Sequence, residues 1–160
     1  MLCGGCLAVA GELLRYWGVA YAGSLTRVTG SVGAPQVITA GPYAHLRNPL
    51  YVGNIFIYTG IGIMANALFP WLVVGAFLYF TFQYVEIVTL EEEFLEEKFG
   101  ETYNEFRRNV PAFVPRWKPF RAEAQGQQRP DWRAGFRSER RTLQAFGLVV
   151  ATLILLSLLR

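Results

Sequence analysis

The sequence predicts an all-α membrane protein with about four transmembrane helices, a central helical hairpin and an amphipathic helical segment outside the bilayer. Three observations carry this prediction. Hydrophobic residues make up 52% of the chain and charged residues only 17%. The apolar residues are pooled into long runs rather than alternating with polar ones, and the mean hydropathy is +0.26. In water such runs would leave large apolar patches at a cost of roughly 25 cal/mol per Å². A bilayer removes that cost, and 160 residues suffice for one domain.

The first expected span, 2–22, has no basic leader and is interrupted by Glu12 and Arg15, which argues against a signal peptide and leaves an upstream helix open. Glu12 and Arg15 lie three positions apart, share a helix face and are expected to pair with each other against the hairpin. Cys3 and Cys6 form a CxxC with no second pair, and are read as small apolar packing residues. Residues 23–49 are punctuated by Gly30, Gly33, Pro35, Gly41, Pro42 and Pro49, too broken for a long helix. Their length suggests a shaped, functional loop, and Val37, Ile38, Tyr43 and Leu46 suggest that it packs.

Spans 50–65 and 67–90 are joined at 65–67 and should form a tight antiparallel hairpin. The third covers about 36 Å against a hydrocarbon core of about 30 Å, whereas the second and the last, 143–159, are marginal. Pro70 and Trp71 sit near the tip, where Trp71 serves either an interfacial aromatic belt or an apolar rim contact. Beyond residue 90 a cytoplasmic helical segment, 91–109, continues with Leu95, Phe99, Tyr103 and Phe106 on one face. Acidic residues lead it and Arg107 and Arg108 close it, which suits the helix dipole if Gly100 starts a second segment; Pro111 and Pro115 stop it.

Residues 1–115 thus form the expected core, and 116–142 a basic juxtamembrane linker to the last span. The linker carries Arg116, Lys118, Arg121, Arg129, Arg133, Arg137, Arg140 and Arg141 between apolar segments, so the net charge of +3 points to anionic lipid headgroups, with nucleic acid the weaker alternative. Trp117, Trp132 and Phe136 either anchor it on lipid or belong to a flexible tether. The hairpin tip is uncharged while its flanks, from Arg27 and Arg47 on one side and Lys98 onward on the other, are basic; those flanks should face the cytoplasm.

The hairpin should bring two polar clusters together. The first reads GPYAHLRNPLYVGN, in which Pro49 presets a helix start and Arg47 stands at its mouth. An anionic group can dock there, Gly53 permits close approach, and Tyr43 and Tyr51 offer flat faces for a base. Equally, Gly-Pro-Tyr is a turn and Gly53, Gly60 and Gly62 are helix-packing residues. The second cluster, Glu91, Glu92 and Glu93, ends an apolar run and calls for a cation, either Arg47 or a bound positively charged cofactor, unless it is a solvated helix end.

As an ordered set, Gly41, Pro42, Tyr43, Arg47, Asn48, Pro49, Tyr51 and Gly53, then Glu91, Glu92, Leu95, Phe99, Gly100, Tyr103, Val110 and Pro111, resemble the isoprenylcysteine carboxyl methyltransferase and phospholipid methyltransferase superfamily. The resemblance implies S-adenosylmethionine, released as S-adenosylhomocysteine, bound by Tyr43, Arg47, Asn48, Pro49, Tyr51, Gly53, Glu91 and Glu92. It implies a membrane lipid or lipidated small molecule as acceptor, reaching the methyl group from the bilayer, in a multi-pass integral membrane protein whose active site faces the cytoplasm. In-line methyl transfer asks chiefly for alignment and exclusion of water, and no metal is expected.

His45, Arg47 and Glu86 are the expected catalytic residues, with His45 suited to general-base work near neutrality. The carboxyl methyltransferase branch usually has His where Asn48 stands, and many of its members carry an Arg in the turn occupied here by Glu86, Ile87 and Val88. A carboxylate acceptor so loses its partner, and Glu86 would favour an amine headgroup. The rival readings are a nicotinamide-dependent membrane reductase and a non-catalytic lipid- or partner-binding protein. Acceptor identity and oligomeric state are open from sequence.

Overall fold

The computed structural model describes residues 1–23 and 36–159, so Arg27, Gly30, Gly33 and Pro35 lie outside the described residues. The described chain is all-helical, without a strand: α1 (Leu2–Ala22), a 3-10 turn (Gly41–Ala44), α2 (Pro49–Ala65), α3 (Trp71–Phe99), α4 (Glu101–Asn109), a second 3-10 turn (Glu123–Gln127) and α5 (Trp132–Leu158). Pro49 opens α2, where its missing N–H costs nothing, and Asn66 closes it in the left-handed region at φ 49°. Gly100, at φ 52°, divides α3 from α4, a conformation that a side chain would strain.

Helix α2 packs most extensively on α1 rather than on α3. Close approach explains the preference. A Cβ placed on Gly60 would lie 2.5 Å from the Gly4 carbonyl oxygen, and one on Gly53 would lie 2.7 Å from that of Gly11. Helix α5 returns to α1, where a Cβ on Gly135 would lie 3.1 Å from the Ala20 Cα and the Asp131 amide donates to the Ala20 carbonyl at 2.8 Å. The packing order is therefore α3, α2, α1, α5, and the expected hairpin is the outer half of it. Its tip is also broader than 65–67, because residues 66–70 form the turn and α3 starts at Trp71.

By length and composition two helices can cross a membrane, α3 with 29 residues and α5 with 27; α2 is a shorter apolar helix of 17. Both long helices expose apolar side chains, among them Phe77, Leu78 and Phe82 on α3 and Leu148, Leu155 and Leu156 on α5. Cys3 and Cys6, expected as small apolar packing residues, are free and exposed on the outside of α1.

Glu12 and Arg15 do not pair as expected. Arg15 Nη2 meets Glu139 Oε2 at 2.8 Å and Nη1 donates to Asn54 Oδ1 at 2.6 Å, tying α1 to α5 and α2. Glu12 is buried and neither carboxylate oxygen has a hydrogen-bond partner among the described residues. The competing carboxylate belongs to the expected linker, 116–142, most of whose second half is helix: α5 begins at Trp132, capped by the Asp131 side chain, which accepts from the Ala134 amide at 2.8 Å, rather than near residue 143.

At the polar end of the bundle, residues 110–128 form a collar around the 36–48 segment. Arg47 and Asn48 amides donate to the Pro111 and Ala112 carbonyls at 2.9 and 3.2 Å, and Arg116 and Phe120 amides to those of His45 and Ala44 at 2.9 and 2.8 Å. Gln128, buried, accepts from the Thr39 and Ala40 amides at 2.9 and 3.0 Å and donates to the Val37 carbonyl at 2.8 Å. Tyr103, Phe106 and Val110 supply a small core beneath the collar, flanked by Val37, Tyr43, Leu95, Phe99 and Phe120.

Candidate active site

Arg47 and Glu92 meet, as the hairpin requires. Nε and Nη2 of Arg47 each lie 2.9 Å from Glu92 Oε1, and both side chains are nearly buried, at 12% and 9% exposure. Arg47 Nη1 donates to the Arg107 and Val110 carbonyls at 2.7 Å, which caps the end of α4. Arg107 Nε lies 3.4 Å from the other Glu92 oxygen, and its Nη1 reaches Glu96 at 2.9 Å. Two arginines on one buried carboxylate offset its desolvation, so Arg47 and Glu92 are a closed structural clamp with little donor capacity left over.

Beside the clamp, the Tyr51 hydroxyl donates to Glu91 Oε1 at 2.7 Å and the Tyr51 ring packs on Tyr84 with centroids 4.9 Å apart. Glu91 is exposed. One of its oxygens is engaged, and the remaining lone pairs are open to hydroxyl or ammonium donors. Tyr43 is partly buried under the collar, and its phenol pKa is pushed up by burial and then by the charge of Glu91. Tyr103 is raised likewise, by burial first and Glu92 second.

The other expected residues are placed differently. Asn48 directs Nδ2 to the Ala112 carbonyl at 3.2 Å, Pro49 is fully buried, and Gly53 faces α1, where a Cβ would meet the Arg15 side chain at 2.6 Å. His45 Nδ1 lies 3.0 Å from the Arg116 carbonyl, an acceptor, so that nitrogen carries the proton; its ring lies 6.5 Å from that of Trp17. Glu86 is exposed on α3, about 140° around the helix from Glu91. One cleft, about 220 Å³, opens nearby between Val37, Phe99, Thr102, Glu105 and Phe120. A second, about 490 Å³, lies at the start of α5, and neither is lined by Arg47, Tyr51, Glu91 or Glu92.

Sequence reasoning missed Arg107 as the second cation on Glu92, Gln128 as the stitch across 37–40, and the Arg15, Asn54 and Glu139 link. For Arg107 a signal existed, since a helix closing on two arginines after an acidic run pairs naturally back onto it. Among the described residues no three His, Cys, Asp or Glu side chains are grouped to hold a metal ion.

An all-helical chain with two helices long and apolar enough to cross a membrane, and a polar collar locked by Arg47 and Glu92, fits the class of helical membrane proteins. Within that class the chain belongs to the phospholipid methyltransferase family, whose model matches residues 1–102. It is similar to the cobalt-zinc-cadmium resistance protein CzcN of Cupriavidus metallidurans, 36% identical over 55% of this chain and 39% of that protein. It is similar also to the nickel-cobalt-cadmium resistance protein NccN of Alcaligenes xylosoxydans xylosoxydans, 33% identical over 56% of this chain and 40% of that one. The protein-S-isoprenylcysteine O-methyltransferase of Schizosaccharomyces pombe is 30% identical over 49% of this chain and 33% of its own. The chain thus spans well under half the length of the curated relatives it matches. No solved structure matches it.

Proposed function

We propose that the protein transfers a methyl group from S-adenosylmethionine to a lipid or lipidated acceptor held in a bilayer, at the collar end of α2 and α3. The observation that carries this reading is the pair of adjacent carboxylates with opposite fates: Glu92 is closed by Arg47, while Glu91, steadied by Tyr51, presents open acceptor positions. S-adenosylmethionine, when bound, supplies an electrophilic methyl group and departs as S-adenosylhomocysteine. Its hydroxyl and ammonium donors suit the open carboxylate positions of Glu91, which is the part of the group that the residues present fit.

Tyr51 orients Glu91, and Tyr43 offers an aromatic wall whose raised pKa keeps its hydroxyl protonated and neutral. Arg47 and Asn48 hold the segment against the collar, and Pro49 and Gly53 sit where α2 packs on α1. Glu92 contributes by fixing Arg47. The bound Nδ1 proton of His45 leaves Nε2 to accept a proton from an amine acceptor, which is the base function proposed for it. Glu86, on the outer surface of α3, would meet a cationic headgroup arriving along the bilayer rather than the cofactor.

In this reading α1, α2, α3 and α5 all cross the bilayer, with the collar and its arginines on the cytoplasmic side, as expected where basic residues flank spans. Incubation of the reconstituted protein with labelled methyl donor and membrane lipid extract, followed by identification of the labelled product, tests the proposal. A labelled lipid that disappears with Glu91→Gln supports it. Binding of a nicotinamide cofactor, with no label transferred, would replace it with a reductase.

A further inference from the structure

The larger cleft lies away from the collar site, at the junction of α5 with α1. Tyr16, Trp132, Arg133, Phe136, Arg137 and Arg140 line a space of about 490 Å³. Its floor is built rather than incidental. The Tyr16 hydroxyl donates to the Trp132 carbonyl at 3.0 Å, the two rings lie 5.5 Å apart, and the Asp131 amide anchors the helix start to Ala20. Arg133, Arg137 and Arg140 follow one another at intervals of four and three, so they share one face of α5. All three are exposed, and none has an acidic partner within ion-pair distance among the described residues. Glu139, on the same helix, is turned away to Arg15.

What the arginine row leads into decides the occupant. Directly after it α5 becomes apolar, and none of its most apolar stretch is buried inside the protein, with Leu148, Leu155 and Leu156 exposed. A ligand that matches both features carries a phosphate at one end and hydrocarbon at the other. Guanidinium forks suit phosphate oxygens, and Trp132 and Phe136, which precede and interleave the arginines on α5, suit the headgroup level of a membrane interface. We infer that this cleft binds the phosphate of an anionic phospholipid, whose chains lie along the exposed apolar face of α5. The site is independent of the methyl-transfer reading, because it uses none of the collar residues.

The test uses the full chain in detergent micelles, titrated with phosphatidylglycerol or phosphatidylcholine, with retained lipid counted by native mass spectrometry. The wild type should retain phosphatidylglycerol preferentially. Arg133→Gln, Arg137→Gln and Arg140→Gln combined should reduce that preference about a hundredfold, since each surface charge near anionic lipid contributes about a fivefold factor and the three multiply. Arg121→Gln with Arg129→Gln, which removes basic charge of the same stretch outside the cleft lining, should reduce it by no more than about fivefold. If the triple variant fails to fold, Arg137→Gln alone should give a partial loss. Unchanged preference in the cleft variants, or an equal loss in the Arg121 and Arg129 variant, would overturn the inference and reduce the arginines to diffuse surface charge.

Discussion

Arg47 sets two of its nitrogens, Nε and Nη2, at 2.9 Å from the same oxygen of Glu92, across a sequence separation of 45 residues. This contact joins the start of α2 to the outer end of α3 and, through the Arg107 and Val110 carbonyls, to the end of α4. Removing Arg47 leaves buried Glu92 with only the half-exposed Arg107 at 3.4 Å and strips the Arg107 and Val110 carbonyls of their donor, at a cost of about 3 kcal/mol. Arg47→Ala should therefore lower thermal stability in detergent sharply, and Arg47→Lys should restore only part of the loss because a point charge cannot reproduce the fork. Equal melting of Arg47→Lys and wild type would show that the fork geometry is unimportant.

Tyr51→Phe removes one hydroxyl from an exposed carboxylate and leaves the ring on Tyr84. Stability should change by less than about 1 kcal/mol, while affinity for the methyl donor falls about threefold to tenfold as Glu91 loses its steadying donor. Parallel melting and donor-binding curves separate the two effects.

Gly60→Ala should destabilise the protein by about 1–3 kcal/mol, because the new methyl meets the Gly4 carbonyl and Ala8 amide at 2.5 and 2.6 Å, both backbone atoms that cannot swing aside. Gly75→Ala, with nothing within 4 Å, should be neutral or slightly stabilising. A similar response at both positions would contradict the close packing of α1 on α2.

Tyr103 titrates above its ordinary value of about 10, so between that pH and its folded value the unfolded chain has released a proton that the folded chain keeps. Its contribution is whole below about pH 10 and is lost as pH rises further, at up to about 1.4 kcal/mol per pH unit. Melting temperatures from neutral to strongly alkaline pH should fall less steeply in Tyr103→Phe than in the wild type. Identical slopes would remove Tyr103 from the alkaline transition.

The elements legible in sequence were those whose cause is local. Pro49 at a helix start, Gly100 at a break and the arginines closing α4 each act within a turn or two, and the turn-back after α2 makes the meeting of Arg47 with Glu92 a matter of helix length. What escaped depends on partners distant in sequence. Arg15 had a carboxylate three positions away in Glu12, yet its ion-pair partner is Glu139, 124 residues on, because Gly135 brings α5 against α1 at Ala20. Gln128 looked like linker polarity, and only the path of the collar over residues 37–40 turns it into a buried stitch. The same holds for Gly53, whose freedom toward a ligand or toward α1 is decided by which helix approaches it.

The most direct measurement is calorimetric titration of the folded protein, in detergent, with S-adenosylhomocysteine. Saturable binding to the wild type is expected, weakened about tenfold or more in Glu91→Gln with its melting temperature nearly unchanged, since Glu91 is exposed. A wild-type protein that melts cooperatively and yet binds no S-adenosylhomocysteine would contradict a methyl-donor site at the Glu91 and Tyr51 end of the bundle.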